Sequence, residues 1–155
     1  FPAQPEHYWE ERALPGKWVA SDGPGRHRRS LYTYWRRMAL HPTLEILDAP
    51  ARTVCTPRRA LSNVPTQTLV TLNDPVFTEA AAALAGRLLR EMSLDDPGRI
   101  DRAFRLTLGR RPEPEERTRF LAFVTERRAD SANGQALWTS VATVLLNLDE
   151  FLCRP

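Results

Sequence analysis

Proline placement is the feature that most limits what this chain of 155 residues can fold into. Four of the prolines beyond Asn63, at positions 65, 75, 97 and 114, each precede a run whose apolar residues recur at helical spacing. Because proline suits the first position of a helix but disrupts its interior, these four residues predict helix starts. A fifth apolar run follows Asn133 and Gly134. The sequence therefore predicts a mainly α fold, a small bundle of about five helices.

Capping residues set the expected boundaries of these helices. We expect the second helix to run from Pro75 to about Met92, and the third to begin with Asp96 as its N-cap. Gly109 suits the left-handed position that ends that third helix. The fifth helix is expected to continue through Leu152, since leucines and valines recur to that point.

The first 62 residues lack this regular pattern. Residues 1–25 combine four prolines and three glycines with aromatic residues, which predicts an extended segment anchored by aromatic side chains, with one helical turn near YWEERAL. Residues 26–62 form an Arg-rich irregular segment, because its recurring prolines disfavour helical conformation in the preceding residues. Within it, SLYTYW favours a short strand, which allows one strand pair, with a helix as the alternative. We treat residues 1–155 as a single domain, a fragment of a larger protein, with 1–25 wrapping the body and 63–155 forming the bundle.

Arginine supplies 21 of the 22 basic side chains, and Lys17 is the single lysine. Nineteen acidic residues leave a net charge of +3, a weak field that does not favour nucleic-acid binding. The excess is local: residues 26–59 hold eight arginines and two acids, a charge of +6, whereas residues 60–155 hold 12 arginines and 13 acids. The basic character thus belongs to one segment.

Several classes of protein are disfavoured by what the chain contains. The longest apolar patch, VATVLLNL, falls well short of the roughly 18 to 20 residues of a membrane span. The first residues do not resemble a signal peptide, and a chain that begins at Phe1 without a methionine is expected to be a fragment. Two cysteines and three histidines lack metal-ligand spacing, so we predict no metal site and no covalently attached haem.

No set of catalytic residues is recognisable. The sequence has no G-x-S-x-G elbow and no glycine-rich phosphate loop, which disfavours serine hydrolases and P-loop or Rossmann nucleotide binding. Asp48 lies in the apolar stretch EILDAP, and Asp149 and Glu150 lie in LLNLDEFL, so one of these acids is a candidate for a buried group with a raised pKa. A structural role in ion pairs or on a solvated helix face is the favoured interpretation of all three. Catalytic residues therefore stay unassigned, and the chain alone is not expected to be an enzyme.

The Arg-rich segment suggests the remaining candidates. Guanidinium groups close to tyrosine and tryptophan can stack on rings and bind anionic groups in a bidentate manner. The alternative, which we favour, is that four arginines tie irregular loops together by donating to backbone carbonyls and to carboxylates. These four are Arg28, Arg29, Arg58 and Arg59. Asn73 is similarly expected to fix a turn or a cap. The candidate binding residues are Arg28, Arg29, Asp48, Arg59, Asn73 and Asp149.

An ordered series of motifs carries a family resemblance: QPEHYW, RRSLYTYWRR, HPTLEILDAPARTVCTPRRALSNVPTQTLVTLNDPVF, AFRLTLGRRPEPEE and WTSVATVLLNLDEFL. Together they resemble the planctomycete C-terminal domain of unknown function DUF1553. That family has no established catalytic residues, so the six candidates match motif positions without acquiring a role. The resemblance implies a domain of a large exported protein, periplasmic or at the cell surface, with further domain sequence expected before Phe1. Export would allow a disulfide between Cys55 and Cys153.

The resemblance also implies partners. Proteins of this family often carry a cytochrome-c-like domain, so haem c is expected in an accompanying domain and no cofactor in this chain. We expect a structural or interaction module that packs on upstream domains of the same protein. The alternative is a polysaccharide-binding or polysaccharide-degrading component, which would use the acids Asp48 and Asp149. No membrane span is expected, and nucleic acid is a disfavoured partner.

Overall fold

The computed structural model describes residues 1–11, 16–36, 39–51, 53–58, 60, 62–91, 93, 95–130 and 133–153. Over these ranges the chain is mainly helical, which confirms the predicted fold class. The helices are α1 (Tyr8–Glu11), α2 (Pro42–Ile46), α3 (Pro65–Asn73), α4 (Pro75–Arg90), α5 (Asp96–Thr107), α6 (Pro114–Asp130), α7 (Gly134–Leu146) and α8 (Asp149–Leu152). The five longer helices, α3 to α7, are the five that the sequence predicts.

The chain divides into two compact units. The first contains Phe1–Val70 and Asp74–Val76, and the second contains Thr71–Asn73 and Phe77–Pro155. Whether residues 1–155 behave as one domain stays a prediction.

The first unit is built mostly from loops, with two 3-10 turns at Gly23–His27 and Ser30–Tyr32, the short helices α1 and α2, and residues 65–70 of α3. The strand expected over SLYTYW is absent from the described residues of this segment. Its backbone is satisfied locally instead, since the Tyr32 and Thr33 amides donate to the carbonyls of Arg29 and Ser30 at 2.9 and 3.1 Å. An isolated antiparallel bridge between Arg36 and Ala39 replaces the strand pair.

The second unit has an apolar core between α4, α5, α6 and α7. Its largest fully buried side chains are Trp138, Phe104, Leu88, Ile100, Leu145, Val124 and Val141. The rings of Phe104 and Phe120 meet edge to face at 5.1 Å, and Arg117 of α6 pairs with Asp101 of α5. Among the described helices, none combines the length and apolar character that a membrane span requires.

Three predicted helix boundaries are wrong. Asp95, not Asp96, caps α5, because its Oδ1 accepts from the Gly98 amide at 2.9 Å, the usual spacing from an N-cap to the third helical residue. Helix α4 ends at Arg90 rather than at Met92, and Met92 lies outside the described residues.

The last helix is also shorter than expected. Helix α7 ends at Leu146, and Asn147 then accepts through Oδ1 a hydrogen bond of 2.8 Å from the Thr71 hydroxyl. Leu148 is extended, and only afterwards does the short helix α8 begin. The apolar repeat is thus interrupted at Asn147, whose side chain bonds to Thr71 of α3, and the chain leaves the helical conformation between α7 and α8.

Candidate functional site

Arg28 and Arg29 lie in the first unit between its two 3-10 turns, and both are exposed. The Arg29 guanidinium lies 6.0 Å from the centre of the Tyr32 ring. Over the part of the chain that the structure describes, neither Arg28 nor the exposed Arg58 has a hydrogen bond or ion pair. The expectation that these two arginines tie loops together is therefore wrong. Arg59 lies outside the described residues.

Asp48 accepts several hydrogen bonds within the first unit. It follows α2 with φ at 58°, in the left-handed region that aspartate tolerates better than most residues. Its Oδ2 accepts from the Ser62 amide at 2.9 Å, the Ser62 hydroxyl at 2.6 Å and the Gln67 amide at 3.1 Å. Gln67, which is 3% exposed, also donates to the Ile46 carbonyl at 3.1 Å. We call Asp48, Ser62 and Gln67 the Asp48 cluster.

The Asp48 cluster holds one irregular stretch of chain to another. Its hydrogen bonds connect the end of α2 to Ser62, just before α3, and to Gln67 within α3. A carboxylate enclosed by backbone and side-chain donors of its own fold satisfies loop polar groups that would otherwise face burial unpaired. These contacts agree with a structural role for Asp48.

Asn73 and Asp149 belong to the second unit. Asn73 is the exposed last residue of α3, and Asp149 is the exposed first residue of α8, where its carbonyl accepts from the Cys153 amide at 2.8 Å. The assignment of these residues to a binding site stays a prediction. Cys55 and Cys153 are not joined by a disulfide in this structure.

An aromatic cluster lies in the first unit, where the sequence predicts aromatic anchors. The Trp18 ring lies 5.0 Å from that of Phe1 and 5.2 Å from that of Trp9, measured between centres. The Trp18 indole N–H donates to the Pro2 carbonyl at 2.9 Å, which fixes the ring. The Arg36 guanidinium lies 5.5 Å over the ring of Trp9, a residue 5% exposed. Residues 1–11 are thereby held against later parts of the unit.

His41 strengthens the same attachment. It is 5% exposed, and its Nε2 lies 2.9 Å from the Ala3 carbonyl, to which it donates as the neutral tautomer. Burial lowers the pKa of His41 below its usual value, and the bond to Ala3 opposes this only in part. Nearby, the Tyr8 hydroxyl donates to the Leu40 carbonyl at 3.0 Å. The sequence did not predict a role for His41. The only nearby signal was Pro42, which indicates a helix start and not a buried histidine.

An open cleft of about 320 Å³ lies beside the aromatic cluster. The described residues that line it are Ala3, Gln4, Pro5, Glu6, His7, Glu10, Trp18 and Ala20. His7 has φ at 63°, so the turn before α1 is in a conformation that few residues other than glycine adopt. Within the described ranges, neither the Glu6 nor the Glu10 carboxylate has a hydrogen bond or ion pair.

An arginine between two carboxylates stabilises the second unit. Arg110 donates to both oxygens of Glu116 at 2.7 Å and to Glu150 at 2.6 to 3.0 Å, and its guanidinium lies 5.5 Å from the centre of the Phe104 ring. Hydrogen bonds from Arg110 hold the pKa of the Glu116 carboxyl below its usual value, and both carboxylates raise the pKa of Arg110. Glu116 also accepts from the Glu113 amide at 2.7 Å, the returning half of a capping box at the start of α6. In the sequence, only the three-residue spacing from Glu113 to Glu116, typical of a capping box, pointed to a role for Glu116.

Among the residues that the structure describes, no three His, Cys, Asp or Glu side chains are grouped so as to hold a metal ion. The fold and these contacts define a mainly helical protein with a loop-rich first unit, held by polar clusters and packed rings, and a helical second unit. The chain belongs to the PSD1 family, described as protein of unknown function (DUF1553), whose family model matches residues 1–124. This range contains the first four motifs of the resemblance and ends before the fifth, at residues 138–152. No curated protein and no solved structure shows significant similarity to the chain.

Proposed function

We propose that this chain is a structural and interaction module of a larger exported protein that also carries a cytochrome-c-like domain. In this proposal Arg28–Tyr32, which we call the 28–32 turn, docks on a domain upstream in the same protein. One line of support is the set of exposed side chains in the 28–32 turn. The other is that Asp48, an acid the alternative function would need, already accepts hydrogen bonds from its own fold.

The exposure of apolar, aromatic and arginine side chains on the 28–32 turn is the observation that carries the proposal. Leu31 and Tyr32 are 78% and 59% exposed, and they lie beside two exposed arginines. Arginine and tyrosine are enriched where protein surfaces bind one another, because each combines apolar area with hydrogen-bonding groups. Since the surrounding segment has a charge of +6, an acidic surface on the partner would complement it.

The polysaccharide alternative has less support. It depends on Asp48 and Asp149 as acids that bind or cleave sugars. The Asp48 oxygen that accepts three hydrogen bonds is already occupied by donors of the same fold. A general acid or base instead needs its oxygens within reach of the substrate proton.

Calorimetric titration of this chain with the separately produced upstream domains tests the docking proposal. We expect binding at high micromolar concentration or tighter, and the double variant Arg28→Glu/Arg29→Glu should weaken it at least about tenfold, or 1.4 kcal/mol. The matched control is Arg105→Glu/Arg119→Glu, which makes the same charge change at two exposed arginines of the second unit. Absence of binding, or equal weakening by both double variants, contradicts docking through this turn.

A further inference from the structure

The cleft beside the aromatic cluster is lined by carboxylates and a tryptophan that take no part in the docking proposal. We propose that it binds a small organic ammonium ion, with the carboxylates of Glu6 and Glu10 balancing the charge and the Trp18 side chain contacting the alkyl carbons. A volume of about 320 Å³ falls at the lower end of the range for small-molecule sites, roughly 300 to 1,000 Å³.

The charge of the lining selects a cation. Two carboxylates and no arginine or lysine occur among the eight described residues that line the cleft. Neither carboxylate has a partner within the described part of the chain, whereas the second unit pairs Glu116 and Glu150 with Arg110. Two carboxylates on one cavity, neither with a hydrogen-bonding or ion-pairing partner among the described residues, favour a cation and disfavour an anion, since like charges repel.

The aromatic wall selects an organic cation over a bare metal ion. Alkylammonium groups are attracted to the indole face by its negative quadrupole, and the alkyl carbons gain apolar contact with the ring. The Trp18 ring is held by its bond to Pro2 and by the neighbouring rings of Phe1 and Trp9. A ligand that contacts this wall therefore does not have to order it, which removes one cost of binding.

The site is open to solvent, which sets the expected strength. Glu6, His7 and Glu10 are all exposed, so salt screens their attraction for the ligand. We expect a dissociation constant on the order of 1 mM at low salt, which corresponds to about −4 kcal/mol. Binding should weaken as sodium chloride is added.

The experiment is an NMR titration of the 155-residue chain that follows the Trp18 indole N–H resonance. The probes are tetramethylammonium chloride and butylammonium chloride, with glucose as a neutral ligand and sodium chloride as the ionic-strength control. We expect both ammonium salts to shift the Trp18 resonance in a saturable manner. The variant Glu6→Gln/Glu10→Gln should weaken binding about fivefold or more.

A matched control separates local from general charge effects. Glu115→Gln/Glu126→Gln neutralises two exposed acids of α6, and it should leave the affinity unchanged. No shift at concentrations roughly tenfold above the expected constant overturns the proposal. So does a shift that Glu6→Gln/Glu10→Gln leaves intact, or a response to glucose alone, which would identify a sugar site. None of these outcomes bears on docking through the 28–32 turn, so the two proposals fail separately.

Discussion

Asp48 combines hydrogen bonding with an unusual backbone conformation, and three substitutions separate the two contributions. Asp48→Asn keeps an oxygen acceptor and a side chain that tolerates φ near 58°. Asp48→Gly removes the acceptor but is unstrained at this φ, whereas Asp48→Ala removes the acceptor and adds strain.

The magnitudes follow from the contacts of the Asp48 cluster. A hydrogen bond to a charged group contributes about 1.5 to 3 kcal/mol, but three donors that share one oxygen do not contribute additively. We assign about 2 kcal/mol to the loss of the acceptor in a partly buried site and about 1 kcal/mol to left-handed strain in alanine. The free energy of unfolding should therefore fall by about 3 kcal/mol for Asp48→Ala, about 2 for Asp48→Gly and about 1 for Asp48→Asn.

Urea unfolding followed by tryptophan fluorescence measures these differences in the relevant unit, since Trp9, Trp18 and Trp35 all belong to it. Asp130→Ala, at an exposed acid that ends α6, is the control and should change stability by less than about 0.5 kcal/mol. The reasoning is refuted if Asp48→Ala costs no more than this control, or if asparagine is as destabilising as alanine.

Two further predictions concern how the stability of the fold changes as the pH is lowered. The pKa of Glu116 is lowered in the folded state by Arg110, so its stabilising contribution is present above the unfolded pKa of about 4.3 and is lost as pH falls through the folded value. Urea midpoints measured against pH should fall less steeply below about pH 4.3 in Glu116→Gln than in the parent, and equal slopes would contradict the pairing. The pKa of His41 is also lowered, so below about pH 6.5 the unfolded chain binds the proton first and the folded state loses stability until its own lower pKa is passed. His41→Gln should flatten the dependence of the urea midpoint on pH as the pH falls below about 6.5, and an unchanged slope there would show that another group titrates.

Local chemistry explains which parts of the fold were predictable. Helices α3, α4 and α6 begin at Pro65, Pro75 and Pro114 as expected, because proline acts through its own ring and the missing N–H. The start of α5 was displaced by one residue because Asp95 and Asp96 are equally good caps by composition, and only the bond to the Gly98 amide distinguishes them. Element type could thus be predicted from neighbours in sequence, whereas the exact cap could not.

The strand expected over SLYTYW failed for a different reason. Aromatic and β-branched residues favour a strand only when a second strand satisfies the backbone and one face is buried. Leu31 and Tyr32 are both exposed, and the backbone bonds to itself in a 3-10 turn. Tertiary context of this kind is not visible in a run of six residues.

The contacts of the candidate residues were predicted less well than the helices. Asp48 was expected to be structural, and its hydrogen bonds from Ser62 and Gln67 agree with that, but no local pattern names these two donors. The link between Arg110 and Glu150 joins positions 40 residues apart, which no local pattern specifies. Side chains that meet through the fold therefore needed coordinates, even where their general role was correctly inferred.

Polar residues in a loop-built unit can serve either to hold the loops together or to bind another molecule. Their hydrogen-bond partners within the unit distinguish the two uses. A backbone without regular helices or strands must satisfy its amides and carbonyls by other means, so polar residues such as Asp48, Gln67 and His41 hold it together. Residues that serve this purpose are already bonded and are poorly placed to bind anything else. Arg28 and Glu6 have no such bonds within the described residues, yet each must be solvated. Because replacing water around an unpaired charge disrupts no internal contact, binding by the first unit is best sought at the 28–32 turn and the cleft.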